Sequence, residues 1–137
     1  MLQVYSDNLT VEAGSVFPFN NVVLDKGCGE SLSAPATIQL NQRGVYLVEM
    51  DGSALPDATT NCSVQLYVNG VAQPQAITTF ASSAVTAAAS FGFKTFVRVM
   101  ENNCPCNVLT SPTTIQFMNG ETALTDAHIN AVVTKIR

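Results

Sequence analysis

Gly44-Val45-Tyr46-Leu47-Val48-Glu49-Met50 is apolar at nearly every position, whereas Cys62-Ser63-Val64-Gln65-Leu66-Tyr67-Val68-Asn69-Gly70 is apolar at alternate ones. Successive side chains of a strand point to opposite faces. The first stretch therefore predicts a strand covered on both faces, and the second a strand with one wet face. A single sheet with one wet side does not accommodate both. A two-layer β-sandwich does, provided that one sheet is covered again by neighbouring copies of the chain. The two stretches together predict an all-β, two-sheet domain that assembles with itself.

The same sorting extends along the chain. Ile38 and Leu40 alternate with Thr37 and Gln39, and Ile115 and Phe117 with Thr114 and Gln116, so these segments join 64–68 in a half-wet sheet. Tyr46, Val48 and Met50 oppose Val45 and Leu47. Val97 and Val99 oppose Phe96 and Met100, and Ile129, Ala131 and Val133 oppose Val132 and Ile136. Those three segments predict a sheet covered on both faces. Strands are predicted over 9–16, 37–40, 45–51, 64–68, 84–91, 95–100, 114–118 and 129–136. Turn residues recur between them, among them Gly27-Cys28-Gly29, Pro56-Asp57, Asn69-Gly70 and Asn119-Gly120, which is the pattern of a sandwich or barrel. Asn69-Gly70 signals a type I′ hairpin. The alanine-rich stretch 81–90 alternates with Thr and Ser and is assigned to strand rather than helix.

The 137 residues suit a single domain, 1–137, with a core of its own. Only 12% of them are charged, against about 25% for a typical soluble domain. No Asp, Glu, Lys or Arg occurs from 58 to 93. Such a surface suits an oligomer or a large particle. The net charge is −4, and the cations Lys26, Arg43, Lys94, Arg98, Lys135 and Arg137 are scattered. There is no basic stripe for nucleic acid and no basic amphipathic helix for a membrane surface. Asn69-Gly70 and Pro74 interrupt the uncharged stretch, which rules it out as a membrane-spanning helix. The start, Met1-Leu2-Gln3-Val4-Tyr5-Ser6-Asp7, has no basic residue and no apolar run, so no cleaved signal is expected and the chain is read as made in a cytoplasm.

Catalytic constellations are sparse. His128 is the sole histidine. Glu49, Asp51 and Asp57 form a loose acidic group without a partnering nucleophile or base. Asp51-Gly52-Ser53 is too poor in carboxylates for a calcium loop. No phosphate-binding glycine loop or nucleophile elbow occurs. The chain is read as no enzyme, with no cofactor and no metal. The four cysteines are Cys28, Cys62, Cys104 and Cys106. Cys104-Pro105-Cys106 is too tight to close on itself and lacks metal-knuckle spacing. A reducing compartment favours free thiols; a Cys28–Cys62 bridge and late oxidation in a released particle stay open. Asn8-Leu9-Thr10 and Asn61-Cys62-Ser63 match the glycosylation pattern and, without a secretory signal, are taken as chance. Gln65, Tyr67, Gln73 and Gln75 are read as exposed, either a solubilising surface or a ligand-facing, sugar-binding patch.

The strand Gly44-Val45-Tyr46-Leu47-Val48, the strand and turn Val64-Gln65-Leu66-Tyr67-Val68-Asn69-Gly70, and the terminal segment 127–137 resemble the C1q/tumour-necrosis-factor-like jelly roll. That family builds a ten-stranded sandwich and trimerises through its inner sheet. More closely, Leu9-Thr10-Val11-Glu12-Ala13, Pro18-Phe19-Asn20, Lys26-Gly27-Cys28, Ala36-Thr37-Ile38-Gln39-Leu40-Asn41, Gly70-Val71-Ala72-Gln73-Pro74-Gln75 and Val132-Val133-Thr134-Lys135-Ile136 are similar, in their order, to small trimeric head-fibre or decoration proteins of gut Firmicutes phages and prophages. The resemblance implies a homotrimer on the virion exterior. It places Tyr46, Val48, Met50, Val97 and Val99 in the core. It turns Leu47, Glu49, Phe96, Arg98, Met100, Asn130, Val132 and Thr134 toward the trimer interface, with Glu49 and Arg98 as a candidate ion pair across strands or subunits. Residues 1–5 are expected to dock on a capsid or a neighbouring subunit. The partners implied are further copies of the chain, a capsid protein and a host surface glycan. The alternatives are an adhesin or carbohydrate-binding receptor module of the same fold, and a bacterial surface trimer.

Overall fold

A computed structural model of the chain describes residues 1–84, 86–100 and 108–137. The strands are β1 (Leu2–Val11), β2 (Asn21–Asp25), β3 (Glu30–Ala34), β4 (Thr37–Gln42), β5 (Gly44–Pro56), β6 (Cys62–Val68), β7 (Val71–Phe80), β8 (Ala89–Val99), β9 (Val108–Asn119) and β10 (Leu124–Lys135). They form two antiparallel five-stranded sheets. The first runs β2-β1-β10-β5-β8 and the second β3-β4-β9-β6-β7. Successive strands such as β4 and β5, or β9 and β10, lie in different sheets, so the chain winds as a jelly roll.

Alternation sorts the strands as the sequence predicts. Segments 37–40, 64–68 and 114–118 fall in the second sheet, and those around 45–51, 95–100 and 129–136 in the first. The core between the sheets takes Tyr46, Val48, Met50, Val97 and Val99 from one side and Ile38, Leu40, Val64, Leu66, Ile115 and Phe117 from the other. A tilted Phe17–Phe91 contact and an edge-on Phe19–Phe117 contact close it at the ends of the strands.

Tyr46 carries a polar group sunk deep in the core. Its hydroxyl lies 2.7 Å from the Gln42 carbonyl and 3.0 Å from the Gly29 carbonyl. One proton serves both acceptors and ties the loop ahead of β3 to the start of β5. Burial pushes the Tyr46 hydroxyl above its ordinary pKa, and the nearby Glu30 carboxylate adds to the push. Gly44, which opens β5, has φ 150°. A Cβ there would strike the Arg137 carbonyl, to which the Val45 N–H donates at 3.1 Å.

The structure differs from the sequence reading at the margins of elements. The first strand starts at Leu2, not 9, and ends before a turn in which Ser15 N–H donates to the Glu12 carbonyl at 3.1 Å. Residues 1–5 are therefore no free docking segment: Leu2 and Val4 are fully buried, and β1 lies between β2 and β10. The Met1 ammonium meets the buried carboxylate of Glu30. Strands β2, β3 and β7 have no counterpart in the reading. Within 84–91 the described residues 84 and 86–88 lie outside any strand, with Ala87 N–H donating to the Ala84 carbonyl at 3.0 Å and Ser82 Oγ to the Ala87 carbonyl at 2.6 Å, and β8 begins only at Ala89. Asn69 and Gly70 have φ 50° and 79° and make the β6–β7 hairpin as expected. Cys28 and Cys62 are both free thiols, one exposed and one buried, so the bridge between them does not form. Cys104 and Cys106 lie outside the described residues.

Replacing Tyr46 by Phe strands two buried carbonyls and is expected to cost about 1–3 kcal/mol in a chemical melt. The raised hydroxyl pKa makes a second, signed prediction. The neutral phenol stabilises the fold fully below the unfolded-state value of about 10, and that contribution is lost as pH rises beyond it. The wild type is expected to lose stability above that pH by a step that Tyr46→Phe lacks, read from melts across the alkaline range.

Candidate functional site

Two faces of the sandwich look away from the core, and strand register decides which side chains meet there. On the first sheet, residues directly opposite across antiparallel strands share a face. One row joins Phe96 of β8, Leu47 of β5 and Thr134 of β10. The next joins Lys94, Glu49, Val132 and Gln3, and the next Asp51, Asn130 and Tyr5. Arg98 stands opposite Val45. The structure thus gathers Leu47, Glu49, Phe96, Arg98, Asn130, Val132 and Thr134 on one outward face, and Met100 continues the alternation just past β8.

This face has an apolar half and a polar half. Phe96 and Met100 are each 61% exposed, and Val45, Leu47 and Val132 are half-buried beside them. At the polar end, Gln3 Nε2 donates to Asn130 Oδ1 at 3.1 Å and Asn130 Nδ2 donates to Asp51 Oδ1 at 3.2 Å, one chain of bonds across β1, β10 and β5. Between the halves runs a groove of about 500 Å³, lined by Glu49, Asp51, Lys94, Asn130 and Val132. Gly92 opens it: a side chain there would stand 2.8 Å from the Met50 carbonyl. Glu49 faces Lys94 across the strands. Arg98 is four residues further along β8, about 13 Å away at strand rise, so a Glu49–Arg98 pair across strands of one chain is overturned.

At the far end of the same sheet, bulges break the ladder. Between Ser6 and Leu9 of β1 and between Thr125 and His128 of β10 the register shifts. Asn8 and Asp126 take positive φ of 54° and 46° there. The bulges bring Asp7 Oδ1 to 3.6 Å from His128 Nδ1, with the Tyr5 ring centroid 6.4 Å from that of His128. Sequence reasoning missed this corner, because bulge positions carry no period. No group of three or more metal-ligating side chains is brought together among the described residues.

On the second sheet the outward face is built differently. Strands β4, β6, β7 and β9 contain no Asp, Glu, Lys or Arg. One row joins Thr37, Gln116, Tyr67 and Ala72, with Gln116 Nε2 donating to Thr37 Oγ1 at 3.0 Å. Below it stand Met118, Gln65 and Ile77. Between these rows β7 bulges: Leu66 alone on β6 faces 73–76 on β7. Ala76 turns in and is fully buried, while Gln73 and Gln75 turn out. Gln65 Nε2 donates to the Gln73 carbonyl at 3.1 Å, and Gln75 Nε2 to Gln73 Oε1 at 3.3 Å. The four residues singled out from the sequence, Gln65, Tyr67, Gln73 and Gln75, thus form one cluster.

Two five-stranded antiparallel sheets in this order define a C1q/tumour-necrosis-factor-like jelly roll. Among solved structures, the globular domain of zebrafish complement 1qA superposes with a TM-score of 0.68 over 99% of this chain and 96% of its own, at 9% identity. The Eiger TNF of S. frugiperda gives 0.67 over 98% and 92%, at 13% identity. The PRD1 vertex protein gives 0.63 over 99% and 96%, at 22% identity. No protein-family model and no curated protein sequence matches the chain.

The thiols report on burial directly. Iodoacetamide applied to the native protein is expected to modify Cys28 and spare Cys62 until denaturant is added, as read from the two peptides by mass spectrometry.

Proposed function

We propose that the chain is the subunit of a homotrimer that decorates the exterior of a phage or prophage particle, as a head fibre or decoration protein. The observation that carries the self-assembly is the uncovered apolar half of the first sheet. Phe96 on the edge strand β8 and Met100 just past it are each 61% exposed, on the face that also carries half-buried Val45, Leu47 and Val132. Burying one such side chain contributes about 1.5–3 kcal/mol, and a soluble monomer gains nothing by leaving a cluster of them in water.

Charge placement supports a head-to-tail arrangement. The β8 edge carries Lys94 and Arg98, while the outward face at the opposite side of the sheet carries the exposed Asp7 of β1. Packing the β8 edge of one subunit on the β1–β10 face of the next brings opposite signs together. A head-to-tail contact closes into a ring when the rotation closes, and the C1q/tumour-necrosis-factor-like resemblance favours three. The pairing of Glu49 with Arg98 then belongs between subunits. The likeness to the PRD1 vertex protein over nearly the whole chain supports the virion exterior, as does the low charge, which suits a subunit covered by its copies. The same likenesses favour assembly and display over catalysis.

Light scattering coupled to size exclusion is expected to give three times the 14.5 kDa subunit mass, with or without reductant. Phe96→Asp places a charge in the apolar contact and is expected to yield a folded monomer, while Arg98→Ala weakens the trimer on dilution. A wild-type monomer at micromolar concentration would sink the assembly reading. Mass spectrometry of purified particles checks the location: absence of the chain from them removes the virion and leaves the trimer.

A further inference from the structure

We infer that the outward face of the second sheet is a binding platform for an uncharged glycan, centred on Tyr67. The inference goes beyond the assembly reading and does not rest on it, since that reading covers the other sheet.

The first ground is chemical. A protein surface is ordinarily kept soluble by charge, about 25–35% Lys, Arg, Glu and Asp. Here four adjoining strands have none. Their outward positions are amides, hydroxyls, a few apolar groups and one central aromatic ring. A sugar presents the same mixture: hydroxyls that exchange hydrogen bonds with amides, and a C–H face that packs on an aromatic ring. A charged ligand would find no counter-ion here, and binding it would leave its charge desolvated without compensation.

The second ground is geometric. Tyr67 occupies an inner strand, so its backbone is held on both sides, by Gln116 of β9 and Ala72 of β7. Ala72 is small and leaves that flank of the ring without a bulky neighbour. The Tyr67 hydroxyl and the Gln39 amide make no hydrogen bond within the chain among the described residues, so both are free for a ligand. The bulge beside them is the third ground. Bulges re-aim side chains beside binding sites, and this one turns Gln73 and Gln75 out next to Gln65. Their internal bonds at 3.0 to 3.3 Å, including Gln73 Nε2 to the Val71 carbonyl, hold the amides in place and leave Gln65 Oε1 unengaged. Amides already ordered lose less freedom when a ligand arrives.

The test is a printed array of neutral hexose and N-acetylhexosamine oligosaccharides, with sialylated and sulfated glycans as anionic controls, probed with the whole protein. Binding to one or more neutral glycans is expected, unchanged from low to high salt. Tyr67→Ala is expected to weaken it about tenfold or more, the loss of one aromatic stacking contact. Gln75→Ala, on the exposed bulge, is the second variant and is expected to weaken it without touching the fold. Light scattering of each variant checks that its mass equals that of the wild type. No neutral glycan bound, a preference for the anionic controls, or full binding by Gln75→Ala and a normally assembled Tyr67→Ala would each overturn the inference. A wild type that binds neutral glycans as a monomer would overturn the assembly reading and leave this one standing.

Discussion

The constraint on which the rest depends is the position of β5. It lies fourth in the order β2-β1-β10-β5-β8, between β10 and β8, and its side chains are committed alternately to two surfaces. Tyr46 and Val48 are completely buried between the sheets. Val45, Leu47 and Glu49 point the other way and are half-buried. The inward set is fixed further by the Tyr46 hydroxyl, which donates to the Gln42 and Gly29 carbonyls. Slipping β5 by one residue would exchange the two sets and place Glu49 inside the core. The register that buries Tyr46 is therefore the same register that exposes the apolar half of the face. Core stability and the surface offered to a partner are one decision.

Much of this was legible in the sequence. Period-two alternation assigned six segments to their sheets, and it named the core side of the three half-wet ones, because a buried face has to be apolar whatever its strand order; for the segments apolar on both faces the core side came from the resemblance. The edge strands β2, β3 and β7 were not legible. In β2, Val22 and Val23 are both more than half exposed, so apolar character there does not mark an inward face. In β7, Gln73-Pro74-Gln75 interrupts the alternation at the bulge, and proline reads as a break. The true inward residue, Ala76, is too small to signal itself. The alanine-rich stretch failed for a related reason. Its small side chains fit strand, helix and turn alike, and the Ser82 hydroxyl, bonding local carbonyls, settled it as a turn.

The two faces were unequally legible. The resemblance put Leu47, Glu49, Phe96, Arg98, Asn130, Val132 and Thr134 on one side of the sheet, and alternation kept each set together within its strand, but neither carries information about register between strands. Which of Lys94 and Arg98 stands across from Glu49 depends on the β5–β8 pairing, and that is set by chain crossings far from either residue. The Asp7–His128 corner depends on two bulges in neighbouring strands. The cluster around Tyr67 was partly visible as a run of amides without charge. Its far members, Gln116 and Gln39, come from strands on the other side of the sequence and join it only through the order β4-β9-β6-β7.

The low charge of the chain follows from this division. A sandwich in water needs both outer faces wetted. On the outward face of the first sheet, Glu49, Asp51 and Lys94 stand around a groove, with Arg98 further along β8 and Asp7 at the far end, and the side around Phe96 is left apolar. On the second, wetting is done by amides and hydroxyls that bond to one another and to the bulged backbone. Such groups hold their hydrogen bonds at any ionic strength, whereas Lys and Glu would add long-range repulsion between copies brought close together. In the proposed assembly a subunit packs against its copies on one side and presents a fixed surface on the other, and few charges suit both. Such an assembly accounts for a composition that would leave a lone monomer poorly soluble.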